Sequence, residues 1–218
     1  MGNSYRNRNI PKMYPKSIQR LIELFTKFPG IGPRQASRFV FYILKNKALA
    51  DDLVVALRGL NQIDFCDQCF RSMDGSGDGS LCLFCRDPKR NHSLIAIVEK
   101  ESDMQNLEKT GAYHGLYHIL GGLISPLDSE SSKRLHLKEF YTRIKNVLDK
   151  SGACEVVLAT NPTTEGDITS LYIERILVPL KEQHSGLKIS RLGRGLSLGS
   201  ELEYADEITL KNALTNRK

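Results

Sequence analysis

The sequence predicts an α/β fold, a parallel sheet flanked by helices and preceded by a basic helical region and a cysteine-rich insert. Three observations carry this prediction. After residue 93, apolar runs of strand length, LIAIV (94–98), LYHIL (116–120), EVVLAT (155–160) and LKISRL (187–192), alternate with helix-length stretches at 102–109, 135–150 and 164–183. Such alternation, with strands apolar throughout and not at every second residue, marks a parallel sheet buried on both faces. Ahead of it, residues 18–64 carry helical periodicity, and residues 66–92 hold four cysteines in a polar stretch too short to bury a core unaided.

In chain order, residues 1–16 are polar and basic and read as a loose tail. Leu21, Ile22, Leu24, Phe25 and Phe28 recur at helical spacing over 18–28 until Pro29-Gly30 interrupts them. Ala36, Phe39, Val40, Ile43 and Leu44 form the apolar face of a second helix over 33–46, folded back on the first. A third helix is expected over 51–64, opened by Asp51-Asp52 where the dipole favours negative charge. The expected organisation is thus a tail (1–16), a helical region (17–65), a cysteine segment (66–92), the sheet domain (93–192) and a C-terminal extension of helix and strand (193–218).

Composition narrows the function classes. With 218 residues, 40% apolar and 26% charged, the chain has enough apolar sequence for one or two ordinary domains. The net charge of +6 is unevenly spread: residues 1–60 carry eleven Lys/Arg against three Asp/Glu, leaving the rest at −2. That asymmetry points to a polyanion, nucleic acid or an acidic membrane, met by the N-terminal part. The residues after Met1-Gly2 do not form a myristoylation signal. There is no apolar run of membrane-spanning length and no signal core, so a cytoplasmic protein is expected.

The most specific pattern is Cys66-x2-Cys69-x12-Cys82-x2-Cys85. Two CxxC pairs around a polar loop place four thiolates about a soft divalent ion, and zinc is the expected occupant, one structural ion per chain. All four positions are sulfur, so no coordination site is left for water and the ion should fold the segment without catalysing. Cys154 stands alone before a strand and reads as a small core residue.

In FPGIGPRQASR (28–38), Gly30 and Gly32 permit a tight turn, and Pro33 suits the first turn of the following helix. That helix start offers free N–H groups to a phosphate. At 100° per residue, Arg34, Arg38 and Lys45 lie about 160–200° from Ala36, opposite the apolar face. The pattern resembles the helix-hairpin-helix family, which grips the nucleic-acid backbone independently of sequence.

Glu99 ends the first strand and Asn161-Pro-Thr-Thr-Glu165-Gly-Asp167 follows the third, so these residues should meet at the carboxyl edge of the sheet. The arrangement resembles the Toprim domain, a parallel Rossmann-like sheet. In its catalytic members an early Glu transfers protons and a DxDxEG-type segment holds Mg²⁺. Here Asn161 and Thr163 stand at the two aspartate positions, and magnesium is poorly held without carboxylates. Glu99, Glu165 and Asp167 remain as an acidic edge suited to a basic protein, while the same stretch also suits a helix start with Thr164 as cap. GRGLSLGSELEYAD (193–206) lacks the GK[ST] ending of a phosphate loop, and there is no HExxH.

The order of these parts, with LATNPTTEGD, SPLD (125–128) and ELEYADEITL (201–210), resembles the bacterial recombination mediator family RecR over nearly the whole chain. The resemblance implies a non-enzymatic DNA-repair factor. Such a factor forms a ring-like homotetramer, binds DNA without sequence preference and works with RecO to load RecA on single strands coated by SSB. It further implies that Gly30, Gly32, Arg34 and Arg38 contact DNA, and that Glu165, with Glu99 and Asp167, faces RecO. The alternative class is a Toprim nicking enzyme with a metal held by Glu99, Glu165 and Asp167.

Overall fold

The computed structural model describes residues 14–75, 81–196, 199, 201–215 and 217. It divides into two compact units, residues 1–63 and 64–218. The first unit contains α1 (Lys16–Phe25), α2 (Pro33–Lys45) and α3 (Lys47–Gly59). Its core is small: Ile22, Ala36 and Val40 are buried, with Tyr14, Ile18, Phe25 and Ile31 packed around them. Tyr14 sits against the ring of Phe41 at 5.3 Å and its carbonyl accepts from Gln19 Nε2. Residues 14–16 therefore belong to this unit and not to the expected tail, whose residues 1–13 lie outside the described chain.

Helix boundaries differ from expectation for local reasons. α1 ends at Phe25 instead of running to 28, because Lys27 N and Phe28 N bond three residues back and the Thr26 hydroxyl donates to the Glu23 carbonyl. α3 starts four residues before Asp51, because the Asn46 side chain caps it by accepting from Leu49 N. It stops at Gly59, giving way to a 3₁₀ turn (Leu60–Gln62) and a short strand.

The second unit opens on a two-stranded sheet, β1 (Ile63–Phe65) with β2 (Ser72–Asp74), and the short α4 (Leu83–Arg86). A four-stranded sheet follows, built from β3 (Asn91–Val98), β4 (Gly115–Ile119), β5 (Cys154–Leu158) and β6 (Leu187–Arg191) in the order β4-β3-β5-β6. All three pairings are parallel, as the strand–helix alternation predicts. The crossovers are α5 (Glu101–Lys109), α6 (Leu137–Ser151) and α7 (Thr164–Gln183), and α8 (Glu207–Thr215) ends the chain.

Alternation along β3 decides what covers each face. Ile95 and Ile97 join Phe140, Ile144 and Leu148 of α6 and Ile173, Leu177 and Leu180 of α7 in the larger core. Ala96 and Val98 point the other way, into a core with Met104, Tyr117 and Ile119 that Phe70 and Phe84 of the cysteine segment help to close. The cysteine segment is therefore a cover on the sheet and not an appendage. Cys154 is buried at the start of β5, and burial pushes its thiol up to about 11, in keeping with a core residue.

Candidate nucleic-acid interface, metal centre and sheet edge

At the hairpin, Gly30 has φ +77°, a left-handed conformation that a side chain would strain, and Ile31 N bonds back to the Phe28 carbonyl. Gly32 is the N-cap of α2 and supplies no side-chain bond to its first turn, while Pro33 fills the first helical position. The start of α2 thus carries the positive end of the helix dipole, although Pro33 has no N–H and Gln35 N and Ala36 N already donate to the Gly32 carbonyl. Arg34, Arg38 and Lys45 are exposed, and among the described residues none pairs with a carboxylate. Ala36 and Val40 of the same helix are buried, so the basic stripe faces away from the core. This arrangement can hold phosphates along one side of a strand.

The four cysteines converge as their spacing predicts. The sulfurs of Cys66, Cys69, Cys82 and Cys85 lie within 4.8 Å of one another, all buried, and could hold a metal ion. Cys69 and Cys82 sulfurs are 3.4 Å apart, and Cys82 N donates to Cys66 Sγ at 3.3 Å. Hydrogen bonding, from Cys69 first, holds Cys66 well below the ordinary thiol range.

Several residues that pattern reasoning passes over fasten this cluster to the sheet. Ile119 N donates to the Cys69 carbonyl, extending the end of β4 onto the segment. The Glu101 carboxylate accepts from Ser72 N and Ser72 Oγ and pairs with Arg71. Phe70 has φ +61°, costly for a bulky residue, and its ring stacks on His136 at 3.7 Å between centroids. His118, between the Gln68 and His136 carbonyls, is pushed down to about 3 by burial and by Arg143, so the imidazole is neutral. None of these residues has a periodic signature; each is recognisable only by what lies across the fold from it.

The strained residue yields an unusual expected ranking. Phe70→Ala and Phe70→Gly both delete the stack, but glycine alone relieves the left-handed backbone. Glycine should therefore be the less destabilising by about 1 kcal/mol. Denaturant midpoints of the two variants check this, and an alanine variant at least as stable as the glycine variant contradicts it.

At the sheet edge the sequence-predicted residues are placed near the strand ends but do not form one acidic cluster. Among the described residues, the cysteines alone come together as three or more metal-type ligands. Asn161 Nδ2 donates to Glu99 Oε2 at 2.8 Å, so a neutral amide occupies one side of the expected proton-transfer carboxylate. Asp167 is taken by the chain's own arginines, Arg194 in a two-point contact and Arg191 at 3.7 Å. Arg194 holds the Asp167 carboxyl below its usual range. Glu165 stands exposed in the first turn of α7. The cap of that helix is Thr163, not Thr164: its hydroxyl accepts from Gly166 N at 3.1 Å. Gly166 is needed there, since a Cβ would stand 2.0 Å from the Asn161 carbonyl oxygen. Thr163 therefore supplies a helix cap at a position where catalytic relatives of this fold use a metal ligand.

Comparison with known proteins agrees with this architecture. Family models match at residues 18–60 (RecR, helix-hairpin-helix), 93–193 (Toprim domain) and 195–218 (RecR, C-terminal). Among curated relatives, the Recombination protein RecR of Cutibacterium acnes is 42% identical, covering 94% of this chain and 96% of that protein. Those of Streptococcus uberis and Streptococcus mutans are 39% and 40% identical, each covering 94% of this chain and 98% of theirs. With a helix-hairpin-helix, a clustered four-cysteine segment and a parallel Toprim sheet in that order, the chain belongs to the RecR family of recombination proteins.

Proposed function

We propose that this chain is a non-enzymatic mediator in recombinational DNA repair that binds DNA through α2 and its hairpin. In this reading it works with RecO to load RecA on SSB-coated single strands. The observation that carries it is the dipole-positive start of α2 beside exposed Arg34, Arg38 and Lys45, none of which pairs with a carboxylate among the described residues. These groups suit phosphates and have no base-reading arrangement, so binding is independent of sequence. Exposed Glu165 is the part of the acidic edge left open to a basic partner such as RecO, since Glu99 and Asp167 already have internal donors.

A structural zinc ion in the cysteine cluster belongs to the same proposal. Four sulfurs and no oxygen donor suit a soft ion and leave no open position for catalysis. The absence of catalysis at the sheet edge is supported by neutral Asn161 and Thr163, the first bonded to Glu99 and the second used as a helix cap. A homotetrameric ring is supported by two apolar surfaces that the chain leaves uncovered. α3 buries none of its residues, with Val55 69% exposed beside Val54 and Leu57, and the C-terminal segment exposes Leu202, Tyr204 and Ile208. A tetrameric ring can close through two separate faces, each pairing with the same face of another copy.

The deciding experiment measures RecA activity on SSB-coated single strands with this protein, RecO, both or neither. Acceleration should require both and fail with Glu165→Lys, while light scattering gives the mass of a tetramer. Nicking of plasmid DNA with Mg²⁺ or Mn²⁺ that disappears in Glu99→Gln would overturn the proposal in favour of a Toprim enzyme.

A further inference from the structure

Arg143 on α6 is 9% exposed, yet it pairs with no carboxylate among the described residues. Its Nη1 donates to the carbonyls of Gln68 at 2.9 Å and Tyr117 at 2.7 Å, and its Nη2 to Cys85 Sγ at 3.8 Å. A buried guanidinium with no anion is costly, and carbonyl dipoles only partly offset that cost. The neighbouring cations are already matched: Arg71 pairs with Glu101, and Arg90 with Glu108. His118 beside it is neutral and contributes no charge. The cysteine cluster has the opposite deficit, because four thiolates exceed the charge of a divalent ion by two.

We propose that Arg143 is the buried counter-ion of the metal centre, donating to the Cys85 thiolate and tying metal occupancy to β4 through the Tyr117 carbonyl. This rests on the zinc reading above. The guanidinium reaches three acceptors at once because it is a planar fork; an ammonium keeps the charge but cannot span both carbonyls and the sulfur. Arg143 is thus a positioning residue for Cys85, with a role distinct from general packing. Metal bound in the cluster satisfies the arginine, and metal loss strands a cation beneath the sheet.

The test uses the full-length zinc-loaded protein. Zinc release to a chromophoric chelator should be about 10- to 100-fold faster in Arg143→Met and less affected in Arg143→Lys. In the cobalt-substituted protein, loss of the N–H···S contact should move the sulfur-to-metal charge-transfer band to lower energy, a shift that lost packing alone would not cause. Pulsed alkylation of the unaltered protein should modify Cys85 more slowly than Cys69, which keeps the test open if the methionine variant does not fold. Release within twofold of the parent with an unmoved band in Arg143→Met overturns the proposal, as does faster alkylation of Cys85. Zinc missing from the freshly purified parent by elemental analysis sinks the zinc reading itself, and is distinguishable from these outcomes.

Discussion

With zinc in the four-cysteine cluster as proposed, stripping the ion with a chelator is expected to unfold residues 66–75 and 81–85 before any strand of the large sheet. The segment's core consists of the four cysteines, with Met73, Leu81 and Phe84 partly buried against them. Ordering the fifteen described residues of this segment costs about 1–2 kcal/mol each in backbone entropy, far more than so few apolar contacts return. At structural zinc sites ion binding supplies on the order of 10–16 kcal/mol, so with zinc bound here binding energy would be folding energy. The damage should then spread in a defined direction. Phe70 and Phe84 help cover Tyr117, Ile119 and Met104, and Ile119 N loses its acceptor at the Cys69 carbonyl. Hydrogen exchange resolved by region should show amides of 66–75 and 81–85 released first, the end of β4 next, and β5 and β6 last. Uniform exchange across the unit, or an unchanged thermal midpoint after chelation, contradicts this.

Replacing Arg34 and Arg38 together by alanine should weaken binding to every DNA sequence alike. Each phosphate contact to duplex contributes about 0.9 to the slope of log affinity against log salt, so losing two flattens it by roughly 1.8 units. At about 0.1 M salt that slope change corresponds to an affinity loss of roughly 60-fold relative to the high-salt limit. Both side chains are exposed on the face of α2 opposite buried Ala36 and Val40, so the variant should fold normally. Adding Lys45→Ala should remove about one further unit. Titrations at several salt concentrations, on two unrelated duplexes, measure both effects. An unchanged slope means the stripe is only a solvated face, and a loss confined to one duplex means that bases are being read.

What pattern reasoning reached and what it missed differ in the distance over which each feature is decided. The strands of the large sheet were legible because both of their faces are buried: Ile95 and Ile97 on one side, Ala96 and Val98 on the other. Helix starts were less legible, since a cap is a single side chain. Asn46 starts α3 ahead of the more conspicuous Asp51-Asp52, and Thr163 caps α7 in place of its neighbour Thr164. The candidate acidic edge is the clearest divergence. Glu99 follows β3 and Glu165 and Asp167 lie in the first turn of α7, but a list of acidic residues says nothing about donors that arrive from elsewhere. Asn161 reaches Glu99 across 62 positions, and Arg194 reaches Asp167 across 27.

By itself, then, the sequence determined the α/β class, the convergence of Cys66, Cys69, Cys82 and Cys85, and the separation of a basic hairpin from a less basic sheet domain. Periodicity, ligand spacing and net charge are local or summed properties, and they survive without coordinates. Only the tertiary structure decided that the cysteine segment roofs one face of the sheet, that Phe70 is strained over His136, and that Arg143 lies buried against Cys85 with no carboxylate partner among the described residues. It also decided which acidic residues at the sheet edge meet donors from elsewhere in the chain. Those outcomes depend on which groups meet after distant segments pack, where burial removes water as the alternative partner and makes each unmatched charge or dipole costly.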